Sequence, residues 1–306
     1  MSTNKLLKRV TIRDAEGENV DNVDLHNYTY GITSDPLTQF TLVFCALVHD
    51  VDHAGVSNFQ LIQEGATIAK LYKNKSVAEQ NSVDLAWDLL MDPNYKELQK
   101  AIYANEDELK RFRQLMVNIV LATDIFDVDM KAIRERRWGR AFHFEDEDEQ
   151  EIPNQPVKAL ERDYNKPLSE VEGANLKATI VMEHLIQASD VAHTMQHWQI
   201  YCKWNERLFR EMYSAFENGR AAKDPSVGWY EGEIMFFDKY VIPLAKKLDD
   251  CGVFGVASDE CLNYAAQNRK QWAIKGDSMI EAMIKRYHDS KMDKGTKRAS
   301  MGGTGH

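Results

Sequence analysis

Residues 35–58 read DPLTQFTLVFCALVHDVDHAGVSN, and this stretch decides both the fold class and the chemistry to look for. Asp35 followed by Pro36 is a helix start, an N-cap acceptor ahead of the ring that the first helical position tolerates. Leu37, Phe40, Phe44 and Leu47 fall on one stripe, while Leu42, Val43, Ala46 and Val48 fill the other side. The expected element is therefore a helix buried all round and ended by Gly55. It delivers His49, Asp50, Asp52 and His53 at its end. A carboxylate set into an apolar wall is costly unless something pairs with it, and imidazole with carboxylate suits zinc or another divalent transition ion. His49 and His53, four apart, are expected on one helical face, the spacing of the H-E-x-x-H zinc proteases. Asp50, one methylene shorter, stands in place of that Glu and argues against a protease.

A metal held only by neighbouring residues would be loose, so a distant ligand is required. Asp190 in LIQASDVAH is the candidate, an acid closing the apolar run from Ile180 to Ala188, where it opposes the helix dipole. The rest of the chain reads as helices. Phe59–Glu64 is a short turn closed by Gly65, and Ser76-Val77-Ala78-Glu79 has the form of a capping box opening a helix to about Met91. Asn105 caps a helix striped by Leu109, Phe112, Leu115, Met116, Ile119 and Val120, ending near Thr123-Asp124. A further piece through Ile133 runs into RERRWGR, and helices are expected over Asn175–Ala192, Trp198–Phe216, Tyr230–Leu248 with a break at Pro243, and Ser258–His288. Phe144–Gly173, with the acid run EDEDEQE, reads as a surface loop. No alternating strand pattern or internal repeat is present, so the fold class is all-α. Residues 1–25 read as a disordered arm or the remnant of an upstream segment, 26–288 as one catalytic domain, and 289–306 as a disordered tail.

The chain has 306 residues, 43% hydrophobic and 28% charged, with a formal net charge of −10, which argues against general nucleic-acid or anionic-membrane binding. The four cysteines, Cys45, Cys202, Cys251 and Cys261, lack C-x-x-C spacing and read as reduced thiols in a cytoplasmic setting. No apolar run suits a membrane helix or a signal peptide, so the sequons at Asn27 and Asn74 read as accidental.

His49-Asp50-Val51-Asp52-His53-Ala54-Gly55-Val56-Ser57-Asn58 resembles the H-D-x-x-H-x-G-x-x-N signature of the 3′,5′-cyclic nucleotide phosphodiesterases, a branch of the HD-domain metal hydrolases, and the resemblance continues to about Trp272. It implies a multi-helix HD-domain bundle that hydrolyses cyclic AMP, cyclic GMP or both to 5′-nucleotides in signal transduction. It also implies two divalent cations, zinc with magnesium or manganese, the first on His49 and Asp190 and the second reached through Asp50. His53 would act through water, while Glu79, Thr123 and Asp124 would orient ligands and waters. In the clamp segment Gly232–Asp238, Phe236 would stack on the purine, with Ile200 or Tyr201 as walls. Glu233 falls where the family has a purine-reading Gln, and His193 where it often has a base-contacting Asn. An ionised Glu233 only accepts, from guanine N1 and N2 or from the adenine amino group.

The family's upstream H-N-x-x-H motif, which carries its general-acid His and first metal-ligand His, is represented only by His26-Asn27, too close to His49 and with Tyr30 where the second His would stand. The chain thus reads as an N-terminally incomplete catalytic region, derived from a larger regulatory or membrane-attached protein. The alternatives are a pseudoenzyme that keeps the nucleotide pocket and another HD-type hydrolase, which the Phe236 segment disfavours.

Overall fold

The computed structural model describes residues 2–10, 22–142, 168–254 and 259–301. Its helices are α1 (Ser2–Leu7), α2 (Asn22–Tyr28), α3 (Pro36–Val48), α4 (Asn58–Gln63), α5 (Thr67–Leu71), α6 (Val77–Met91) and α7 (Lys96–Ile102). There follow α8 (Glu106–Leu121), α9 (Val128–Phe142), α10 (Glu170–Asp190), α11 (Trp198–Glu217), α12 (Trp229–Phe236), α13 (Ile242–Asp250) and α14 (Glu260–Met301). There is no β-strand among the described residues, so the all-α expectation holds.

The helix buried on every side is α10, not α3. Every residue from Ile180 to Ala188 is buried, and α1, α3, α8, α9 and α13 all pack around it. Its three polar members are each satisfied, as burial in an apolar core demands. Glu183 pairs with Arg137 at 2.8 Å, the His184 ring nitrogen bonds the Ile180 carbonyl at 2.7 Å, and Gln187 donates to the Ala122 carbonyl at 2.8 Å. That last bond ties the end of α8 to α10 and fixes Thr123-Asp124 against the helix that ends in Asp190.

For α3, Asp35 caps as expected, accepting from the Leu37 and Thr38 amides. The expectation of all-round burial is corrected. Leu42 and Cys45 are buried, but Leu47 is 79% exposed, and Phe40 and Val43 are also exposed on that side. Apolar composition alone sets no direction, and α8, α10 and α6 cover one flank only.

Several boundaries move for identifiable reasons. Helix α10 begins five residues before the expected Asn175, because Ser169 and Glu172 form a reciprocal capping box. The rest of the expected loop, 143–167 with its acid run, lies outside the described residues. Helix α9 continues through RERRWGR to Phe142. The break expected at Pro243 is a π turn over Phe237–Val241, which absorbs the proline's missing donor and leaves Pro243 in the first turn of α13. Where an arm was expected, α1 buries Thr3 and Leu6 and packs on α10 and α3, while residues 11–21 lie outside the described residues. Where a tail was expected, α14 runs to Met301.

Candidate metal centre

The ends of two helices make the centre. Helix α3 stops at Val48, and His49 closes it with its amide bonded to the Cys45 carbonyl. The chain then turns through Asp52, whose φ of 62° is left-handed, so His49 and His53 do not share a helical face as expected. The turn is held from α6: Ser82 donates to the Val51 carbonyl at 2.8 Å and Asn81 to Asp52 at 3.2 Å. Asp52 is therefore turned toward α6.

Asp190, the last residue of α10, arrives from the other side. His49 Nε2 lies 3.3 Å from Asp50 Oδ2 and 3.4 Å from Asp190 Oδ1, and the ligand atoms of all three residues fall within 4.8 Å of one another. His49 Nδ1 sits 3.2 Å from the Ala46 carbonyl, so Nε2 is the ring nitrogen left to face the two carboxylates. Nε2 is buried and has no partner of hydrogen-bond geometry. A lone pair facing two carboxylate oxygens is repulsive unless a cation or a proton lies between them. Burial alone would push the ring down, but the Asp190 and Asp50 carboxylates overcome it and raise His49 to about 10. In turn His49 holds the Asp50 carboxyl below the usual range. One histidine nitrogen and two carboxylate oxygens form a donor set that suits a divalent ion, so these residues fit the group that the motif implies.

Beside this triad lies an acidic wall. His53 is exposed, and its Nδ1 accepts from the Gly55 amide at 3.2 Å. Glu79 is raised by burial, and nearby Asp124 adds to the effect. The capping box expected at Ser76 is absent: Ser76 has a φ of 36° and its side chain makes no cap bond. Asn58, the last residue of the motif, does that work from α4. Its Oδ1 accepts from the Ala78 amide at 2.9 Å while its Nδ2 donates to Glu79 at 2.8 Å and to Asp124 at 3.5 Å. Sequence reasoning gave Asn58 no role, although its place closing the motif was a signal. Thr123 spends its hydroxyl on the Val120 carbonyl at 2.7 Å, so of the Thr123-Asp124 pair only the carboxylate enters this network. We expect Asn58→Ala to destabilise the fold by about 2 kcal/mol, the loss of a cap plus a stranded carboxylate, read by urea unfolding. An unchanged midpoint would remove Asn58 from this account.

The base-side residues lie on α11, α12 and the turn after α10. His193 stacks on Tyr201 with centroids 6.4 Å apart, and burial pushes its ring down to about 4, against the pull of Asp190. Tyr201 is fully buried and donates to Glu233 Oε2 at 2.7 Å, while Ile200 is exposed. Glu233 is only 9% exposed, unlike most helix carboxylates. Phe236 stacks on Tyr240 at 5.4 Å, and the Tyr240 phenol, raised by burial, also feels Asp190. His26 does not join this group. It lies against Ser34 and Gly31 in a separate cleft of about 850 Å³, and Tyr30 donates to the Cys251 carbonyl at 3.2 Å.

The family model for 3'5'-cyclic nucleotide phosphodiesterase matches residues 25–252. Among curated relatives, a human dual specificity calcium/calmodulin-dependent 3',5'-cyclic nucleotide phosphodiesterase 1C is 27% identical over 174 residues, 57% of this chain and 20% of the relative. A probable 3',5'-cyclic-AMP phosphodiesterase of Caenorhabditis elegans, pde-4, is 26% identical over 56% of this chain and 22% of its own length. The chain thus spans about a fifth of the length of these relatives. The crystal structure of the phosphodiesterase domain of a RhoPDE fusion protein from the choanoflagellate Salpingoeca rosetta shares the fold, with a TM-score of 0.58 and 19% identity over 85% of this chain and 77% of that one.

Proposed function

Because this chain belongs to the 3'5'-cyclic nucleotide phosphodiesterase family, we propose that it hydrolyses 3′,5′-cyclic nucleotides at the His49–Asp50–Asp190 centre. The observation that carries the proposal is the buried His49 Nε2 facing two carboxylates, one from its own helix end and one from Asp190 far along the chain. Zinc is the ion that this set would hold, and magnesium or manganese would be reached through Asp50, which faces both His49 and His53. When bound, such ions polarise the phosphodiester oxygens and lower the pKa of water, so that attack at phosphorus proceeds near neutral pH.

The chain's own residues do the rest. The Ala46 carbonyl orients the His49 ring, and Asn58 holds the Glu79 and Asp124 carboxylates in place to orient water beside His53. In this reading Phe236 and His193 serve as walls for a stacked purine, with Glu233 at its edge. The substrates proposed are cyclic AMP and cyclic GMP, in a cytoplasmic setting. No helix among the described residues is long and apolar enough to cross a membrane.

A pocket that binds cyclic nucleotide without turnover is a second reading, favoured by the separate position of His26, since among the described residues His49 is the one imidazole in the candidate metal group. One assay separates the two. With added zinc and magnesium, release of 5′-nucleotide from cyclic AMP or cyclic GMP is expected. Binding by calorimetry with no product formed selects the second reading and removes the hydrolase proposal.

A further inference from the structure

The turn that presents Asp50 is held from a second side, by the end of α11. Between His49 and Ser57, the N-cap of α4, the backbone passes through two left-handed residues, Asp52 at φ 62° and Gly55 at φ 70°. For an aspartate that conformation is costly, and it persists only where the surroundings impose it. Asn81 and Ser82 impose it from α6. On the opposite flank, Gly55 comes so close to α11 that a Cβ there would stand 3.3 Å from Glu211 Oε1.

Helix α11 ends in a turn that aims one side chain at this loop. Asn218 is its C-cap and Gly219 follows at φ 74°. The Gly219 amide bonds the Phe216 carbonyl and the Arg220 amide the Ala215 carbonyl, each at 2.9 Å. That is the Schellman pattern, and it reverses the chain at Arg220. The guanidinium fork then divides between two partners. Nη1 donates to the Ala54 carbonyl at 3.0 Å, and Nη2 donates to Oε2 of Glu64, the C-cap of α4, at 3.2 Å. Peptide planarity extends the first of these bonds, because the Ala54–Gly55 amide that accepts from Arg220 at its oxygen also donates from the Gly55 N–H to His53 Nδ1 at 3.2 Å. One guanidinium thereby holds the peptide that orients the His53 ring.

We infer that Arg220 is a positioning residue of the metal centre, locking through the Ala54–Gly55 peptide the turn that carries Asp50 and His53. The inference rests on the centre proposed above. Of the two arms, the bond to the carbonyl is the one that reaches that turn. The other is an ion pair between side chains 44% and 33% exposed, an arrangement that anchors α4 only weakly. Lysine keeps the charge but not the planar fork, so it cannot serve both partners in this geometry.

Zinc titration by calorimetry, on the full chain, of wild type, Arg220→Gln, Arg220→Lys and Glu64→Gln tests this. Arg220→Gln should bind zinc about tenfold more weakly, as the loss of a partner behind a metal ligand does, with its helical circular dichroism unchanged. Glu64→Gln, which breaks the ion pair and spares the carbonyl bond, should stay within about twofold of wild type. Arg220→Lys should fall between them. Equal affinities of Arg220→Gln and wild type overturn the inference. So does an equal loss in Arg220→Gln and Glu64→Gln, which would make the anchoring of α4 the whole effect. Should Arg220→Gln not fold, Arg220→Lys decides against Glu64→Gln: weaker zinc binding by the lysine variant sustains the inference, and equality overturns it. Failure of wild type to bind zinc is a separate result, which sinks the centre itself and this inference with it, whereas level affinities among proteins that do bind remove Arg220 alone.

Discussion

Asp190→Ala is expected to cut cyclic nucleotide hydrolysis by about 10³-fold or more, because it removes one of the three groups of the candidate centre and with it the cation's contribution of several kcal/mol. The change is expected to leave the fold intact. Asp190 ends α10 with its side chain 38% exposed, and an acid at a helix C-terminus opposes the dipole, so local stability gives no reason for it to be there. The variant therefore separates site from scaffold. In wild type, zinc at a hundred times its dissociation constant should stabilise the fold by about 2.7 kcal/mol and raise the melting temperature accordingly. In Asp190→Ala that rise should vanish while the helical circular dichroism is unchanged. A zinc-dependent rise as large in the variant as in wild type would mean that the ion sits elsewhere, and the proposed centre would fall with it.

What the sequence carried and what it hid divide along a physical line. Local chemistry was legible: Asp35-Pro36 starts α3, Asn105 caps α8, and the run from Ile180 to Ala188 is the buried centre of α10. Each depends on residues a few positions apart. The meeting of His49 and Asp190 was legible only because an acid ending an apolar helix is costly without a partner, and no spacing rule could have paired them. Partners from other elements were hidden. Ser76 and Glu79 satisfy the pattern of a capping box, yet Asn58 takes the amide and Glu79 turns to the centre, since the left-handed Ser76 cannot reach its own helix. Leu47 illustrates the same limit from the apolar side, because a hydrophobic residue is buried only if a neighbour covers it. Glu233 was legible as a departure from an amide, but its partner Tyr201 comes from another helix, α11, and no sequence pattern pairs them.

Glu233→Gln should stabilise the protein at about pH 8 relative to pH 5 by about 3 kcal/mol more than any background trend. The carboxyl is held at about 7 in the fold, against an ordinary value of 4.5, because burial penalises its charge. Below 4.5 both folded and unfolded chains carry the proton, and the group's contribution is fully present. Between 4.5 and about 7 the unfolded chain releases the proton and the folded one keeps it, so stability falls as pH rises through this window and is level above it. At about 1.4 kcal/mol for each pH unit, that window amounts to about 3 kcal/mol, and glutamine, which does not ionise, is spared it. Other groups titrate nearby with mixed signs: Glu79 is raised like Glu233, whereas His184 and His193 are lowered by burial and lose stability as pH falls. Those terms are common to both proteins and cancel in the difference, so urea unfolding of the pair at about pH 5 and pH 8 isolates residue 233. A difference that does not change with pH would show that Glu233 is ionised in the fold.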